Sequence, residues 1–204
     1  MANLIFFDDS HTYQVDGVEV PSVSEVTRFI SREVYKDVNQ YALDNAANRG
    51  TRVHKATEIL DKYGSAEVDD EVKPYVLAYL EFRRTEKPEW EKIEWAVCND
   101  LRYAGTIDRY GEMNGQKVIV DIKTTQSIDK AHKTLYTAAQ NLYRLAAEKQ
   151  VKVDKLYILQ LLKDEKYKLI ELPIEDDLAM SCLTLHEALK KKKRVKKGDD
   201  SENG

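Results

Sequence analysis

Ala104-Gly-Thr-Ile-Asp108 and, a turn later, Val118-Ile-Val-Asp121-Ile-Lys123 are the two stretches that decide how this chain is read. Both have the short, apolar, β-branched character of buried strands. Together they nevertheless carry Asp108, Asp121 and Lys123. A charge left unpaired in such a place is strongly unfavourable, so these three are expected to face something. Asp121 and Lys123 are two apart and project from one strand face, with Val118, Val120 and Ile122 on the other. Asn114-Gly115 supplies a hairpin turn, and pairing across it brings Asp108 beside Asp121. Two adjacent carboxylates repel each other, and a divalent cation relieves that. Magnesium favours oxygen ligands and keeps waters, which suits it to meeting a phosphate. Lys123 would orient a water or stabilise charge developing on phosphate oxygens. Spacing alone also admits a structural Asp–Lys pair at a strand end.

Outward from these strands, the pattern predicts one mixed sheet flanked by helices, an α/β (α+β mixed) fold. Strands are expected at Ile93–Cys98, Arg102–Tyr110, Lys117–Lys123, Leu156–Leu162 and Tyr167–Leu172. A long helix from about Asp129 to Glu148 separates the third from the fourth, and a last helix starts near Glu175. Upstream, Thr12–Val15, Asp16-Gly17 and Val18–Val20 read as a β-hairpin. Ser22 and Glu25 have capping-box spacing for a helix whose apolar face is Val23, Val26, Phe29 and Ile30. Further helices are predicted at Val38–Asn48, broken by Gly50, then at Thr51–Tyr63, and at Asp70–Arg84 with Val72, Val76 and Leu80 inward.

The 204 residues, 42% apolar, support one filled core. No apolar run is long enough to span a membrane, and the N-terminus lacks a secretory pattern, so a cytoplasmic protein is expected. Cys98 and Cys182 are the only cysteines, which excludes a disulfide framework, a zinc ribbon and a four-cysteine iron–sulfur cluster. The formal net charge of −4 hides a basic block, Lys190–Arg194 with Lys196 and Lys197. That block is a solvated helix end, a disordered tail or a salt-sensitive contact to DNA phosphates.

The ordered motifs resemble the PD-(D/E)xK nuclease superfamily, in particular RecB-like, phage-type exonucleases. Asp108 followed by Asp121-Ile-Lys123 resembles its Asp…(Asp/Glu)-x-Lys signature. Arg49-Gly-Thr-Arg-Val-His54 resembles the Gly-Thr-x-x-His helix, and Gln140-Asn-Leu-Tyr143 the Gln-x-x-Tyr element. His11-Thr-Tyr13, Asp16-Gly17 and Pro21-Ser22-Val23 resemble the N-terminal hairpin of the phage relatives. Ile107 stands where the superfamily often has proline.

The resemblance implies a restriction-endonuclease-like core of about five strands in a single domain, residues 1–197. Within it, 1–90 hold the hairpin and helices, 91–173 the catalytic core and 174–197 the C-terminal helix, with 198–204 a disordered tail. It implies a Mg2+- or Mn2+-dependent DNA exonuclease of phage-type recombination, without an iron–sulfur cluster, acting on linear duplex or single-stranded ends. A single-strand annealing protein is the implied partner, and a homo-oligomer is compatible. Asp108, Asp121 and Lys123 would be catalytic. His54, Asp108, Asp121 and the Ile122 backbone carbonyl would hold metal, as would Glu94, unless it is an exposed strand residue. Gln140, Tyr143, Thr124 and Thr125 would contact DNA. Glu58 would either approach the site or pair with Lys62. On helix geometry, Gln140, Tyr143 and Tyr136 share a face away from the stripe Ile128, Ala131, Leu135, Ala138, Leu142 and Leu145, outside the core. A structure-specific endonuclease and a non-catalytic DNA-binding subunit with the same fold are the competing readings.

Overall fold

The computed structural model describes residues 3–7, 10, 12–100 and 102–199, with side chains as far as Lys191. The expected N-terminal hairpin is present as β2 (Thr12–Val15) and β3 (Val18–Val20). Asp16 and Gly17 lie between them at φ 50° and 79°, the left-handed pair that matches strand twist. A strand not predicted, β1 (Leu4–Phe7), pairs with β2 to make a three-stranded sheet. His11 falls outside the described residues. Tyr13 ties this sheet to the rest of the chain, its hydroxyl lying 2.9 Å from Thr106 Oγ1.

The capping box forms: Glu25 N–H donates to Ser22 Oγ at 3.1 Å and Ser22 N–H to Glu25 Oε2 at 3.0 Å. The helix it starts is not continuous. α1 (Val23–Val26) and α2 (Arg28–Val34) meet at Thr27, whose hydroxyl donates to the Val23 carbonyl at 3.0 Å. Such back-bonding bends helices, and it leaves Phe29 exposed rather than on an apolar face. Conversely, the break expected at Gly50 is absent. α3 runs unbroken from Gln40 to Tyr63, capped by Asn39 and by Gly64 at φ 82°. A helical glycine costs about 1 kcal/mol relative to alanine, less than the burial of Val53, Ala56 and Leu60 in the same helix returns. α4 (Lys73–Glu86) buries Tyr75, Val76, Tyr79 and Phe82 and exposes Leu80, because the larger aromatic stripe takes the inner face.

The main sheet is ordered β4 (Glu89–Asn99), β5 (Tyr103–Met113), β6 (Gln116–Lys123), β7 (Lys155–Leu161) and β8 (Tyr167–Leu172). All neighbours are antiparallel except β6 and β7, whose parallel pairing needs a crossover. α5 (Lys130–Ala147) is that crossover. Asn114 and Gly115, at φ 52° and 74°, turn the β5–β6 hairpin as expected. α6 (Asp176–Asp199) follows β8; the side chains of most of the lysine block, and residues 200–204, lie outside the described residues.

Alternation on β6 divides the core. Val118, Val120 and Ile122 join Val53, Tyr79 and Phe82 on the α3/α4 face. Ile119 joins Leu135, Leu142 and Leu183 on the face covered by α1, α5 and α6. The outcome is a restriction-endonuclease-like three-layer arrangement, with Asp121 and Lys123 on the α5 side, as the two-residue period requires.

Candidate active site

Arg109 pairs with Val120 in the hairpin register, which sets Asp108 opposite Asp121. Asp108 does more than sit there: its Oδ2 accepts the Ile122 N–H at 2.7 Å. At this point β5 abandons strict alternation. Ile107 and Tyr110 both pack into the α5-side core, although residues three apart on a regular strand face opposite ways. The neighbouring strand is distorted too. Glu94, between the pairs Ile93–Arg109 and Trp95–Ile107, has φ 48°. A non-glycine residue held left-handed inside a strand costs roughly 1–3 kcal/mol and is characteristic of functional sites.

His54, on α3, meets this slip. Its Nε2 lies 3.0 Å from the Ile122 carbonyl. A carbonyl only accepts, so Nε2 carries the proton, and Nδ1 faces Asp108 Oδ2 at 3.5 Å and Glu94 Oε1 at 4.0 Å. His54, Glu94 and Asp108 offer ligand atoms that all lie within 4.8 Å of one another, a group able to hold a metal ion. A ring nitrogen aimed at two carboxylates, its other N–H fixed on a backbone carbonyl, is the usual arrangement of a metal-binding histidine. The Ile122 carbonyl, expected as a ligand, accepts the His54 Nε2–H in this geometry. Asp121 lies outside the group of mutually close ligand atoms. Burial, then the nearby Asp108 charge, pushes the Glu94 carboxyl up to about 7. Burial likewise raises Asp121, with Lys123 opposing and Asp108 reinforcing the rise. Carboxylates crowded until they resist ionisation fit a divalent cation.

Lys123 Nζ is 2.6 Å from Asp121 Oδ2, a close ion pair. Burial alone would lower the ammonium; Asp121 and then Asp108 outweigh it and hold Lys123 above the ordinary lysine range. The ammonium also lies 5.6 Å from the ring centre of Tyr136, a cation–π approach. Gln140, Tyr143 and Tyr136 line a cavity of about 180 Å3 with Asp121, Lys123, Ser24 and Ser31. Gln140 is 1% exposed and Tyr136 6%, so this face of α5 is not outside the core. α1 and α2 cover it, an arrangement helix periodicity alone does not reveal. Gln140 Oε1 is buried and without a hydrogen-bond partner among the described residues. Gly105 explains how Tyr143 fits: a Cβ there would lie 2.5 Å from the tyrosine ring.

The two threonines after Lys123 differ. Thr124 is buried beside Gly50, while Thr125 donates its hydroxyl to the Ser127 carbonyl at 3.1 Å. Glu58 takes the plainer of its two expected roles, paired with Lys62 at 2.6 Å and with Lys55 at 3.0 Å. A larger cavity, about 440 Å3 near Arg144 and Lys149, is lined by none of the site residues. Absent from the expected set is Arg109, fully buried between Asp61 and Glu94. A charged residue inside an apolar strand was its signal, the same one that marks Asp108, Asp121 and Lys123.

The family model of the PD-(D/E)XK nuclease superfamily matches residues 29–202, and the chain belongs to that superfamily. Among solved structures, the chain is similar to an alkaline exonuclease, LHK-Exo from Laribacter hongkongensis, at 10% identity and TM-score 0.47, over 89% of this chain and 92% of that one. It is also similar to SSO0001, at 14% identity and TM-score 0.40, over 83% and 76%. A comparison with curated proteins finds no match. No helix among the described residues is long and apolar enough to cross a membrane.

Proposed function

We propose that this nuclease is a RecB-like, phage-type exonuclease that hydrolyses DNA phosphodiester bonds from ends with Mg2+ or Mn2+. The observation that carries the reading is the meeting of His54, Glu94 and Asp108 beside the Asp121–Lys123 pair. His54 Nδ1, Glu94 and Asp108 would hold the cation, with Asp121 alongside. When bound, a divalent cation polarises a non-bridging phosphate oxygen and acidifies a water.

The chain's own residues supply the rest. Asp108, fixed by the Ile122 N–H, keeps its carboxylate in place without moving the strand. Lys123, a cation at neutral pH, is held 2.6 Å from Asp121 Oδ2, beside where the metal would sit. It donates to the attacking water's oxygen and stabilises negative charge building on the phosphate. Gln140 Oε1 is an acceptor, so it suits a water or a base amino group better than a phosphate. Tyr143 and Tyr136 line the cavity beside Lys123, whose side chain stays partly open to solvent. The expected single-strand annealing partner and a homo-oligomer belong to the same reading.

The test is digestion of end-labelled linear and closed circular DNA with each metal. Loss of nucleotides from linear DNA, with circles intact, is expected, and Asp121→Ala and Lys123→Ala should abolish it. Cutting of circles or of branched DNA would move the reading to a structure-specific endonuclease. Salt-sensitive binding without cleavage or metal uptake would move it to a non-catalytic subunit.

A further inference from the structure

Arg109 is fully buried, and its donors are nearly all accounted for. Nε donates to Asp61 Oδ2 at 2.7 Å, and one terminal nitrogen donates to Glu94 Oε1 at 3.0 Å and to the Asp108 carbonyl at 2.7 Å. The other terminal nitrogen donates to Thr57 Oγ1 at 3.2 Å, and that hydroxyl donates in turn to the His54 carbonyl at 3.0 Å. One guanidinium therefore reaches all three residues of the candidate metal group: the side chain of Glu94, the backbone of Asp108 and, through Thr57, the backbone of His54.

We propose that Arg109 is the positioning residue of the metal site, setting the spacing of Glu94, Asp108 and His54 for one divalent cation. The proposal rests on the metal-nuclease reading above. A strut whose work is only to join α3 to the sheet would need Asp61 alone. Asp61 is itself 1% exposed on its side chain and is held by Tyr79 and Arg83 at 2.6 Å each. The remaining donors converge on the metal group instead. Glu94, in its left-handed backbone, has its carboxylate aimed by one of them. Lysine cannot reproduce this, because a single ammonium lacks the planar fork that spans Asp61 and Glu94 together.

The experiment is calorimetric titration of the purified full chain with Mn2+, alongside thermal unfolding of each variant. Arg109→Lys is expected to weaken Mn2+ binding about 10- to 100-fold, the range for residues that orient metal ligands. Because Arg109→Lys risks stranding buried Asp61, the neutral pair Arg109→Gln with Asp61→Asn is titrated as well, with the same weakening expected. Two readouts separate positioning from bulk stability. Tyr79→Phe removes the hydroxyl that bonds Asp61 and Trp90; it should lower the unfolding temperature and leave Mn2+ affinity unchanged. In a Glu94→Gln background, the Arg109→Lys loss should shrink, since part of it acts through Glu94. Wild-type Mn2+ affinity in folded Arg109 variants overturns the proposal, as do losses that simply multiply with Glu94→Gln. A wild-type chain that binds no Mn2+ overturns the metal-nuclease reading itself.

Discussion

Gly105→Ala adds one methyl group to β5, and the structure shows what it would strike. The new Cβ would lie 2.5 Å from Tyr143 Cε1 and 3.0 Å from Val23 Cγ2. Carbon pairs rest at about 3.5–4.0 Å, so the tyrosine ring must retreat by about 1 Å. Val23, the first residue of α1, is itself buried and cannot give way freely. Overpacking of this kind costs about 1–3 kcal/mol. At a urea m-value of about 2 kcal/mol/M, the unfolding midpoint should fall by about 0.5–1.5 M. The retreat also disturbs the wall beside Lys123, and a misplacement of about 1 Å near reacting groups costs about 100-fold in rate. Urea unfolding with chelator present and single-turnover cleavage with Mn2+ measure the two effects separately. Tyr143→Ala added to Gly105→Ala should return part of the stability and none of the rate. A Gly105→Ala protein with the wild-type midpoint and the wild-type rate would refute the idea that this glycine exists to seat Tyr143.

The opposite sign is expected one helix away. At Gly50 an added Cβ would meet nothing nearer than Thr124 Oγ1 at 3.9 Å, so Gly50→Ala should stabilise α3 by about 0.5–1 kcal/mol, visible as a rise of about 1–4 °C in Tm. The metal-free protein should also lose stability with rising pH through Glu94. Its folded carboxyl, at about 7 against an ordinary 4.5, keeps a proton that the unfolded chain has shed, so the loss develops between those values and is complete above about 7. Burial and Asp108 drive this, His54 and Arg109 oppose it, and the difference is worth up to about 3 kcal/mol. Unfolding in chelator at pH 5 and pH 8 should show that slope in the wild type and a flatter one in Glu94→Gln; equal slopes would remove Glu94 from the account.

The strands and the crossover helix were legible because each advertises itself through a local rule. Asn114-Gly115 demands a hairpin, and two-residue alternation puts Asp121 and Lys123 together. Asp129 to Glu148 matches α5 and its caps. What escaped depends on tertiary contact. Gly50 looks like a breaker until Val53, Ala56 and Leu60 are seen buried in the same helix. Gln140 looks like a polar flank until α1 and α2 cover it. The slip at Asp108 breaks the alternation on which strand reading depends, so the opposite facing of Ile107 and Arg109 could not be counted out from the sequence. Arg109 was within reach: it is a charge in an apolar strand, adjacent to Asp108.

The buried Arg109–Asp61 pair places this enzyme under a constraint of evolvability. Apolar replacements for buried ion pairs are often neutral or stabilising by about 1–4 kcal/mol, so a selection for heat resistance alone would be drawn toward this pair, with Tyr79 packed against it. The same replacements would cut the tether to Glu94 and Thr57. If Arg109 positions the metal site as proposed, robustness and metal binding meet at one residue, and thermostable descendants of this chain should gain their stability elsewhere, in surface helices and loops remote from β5.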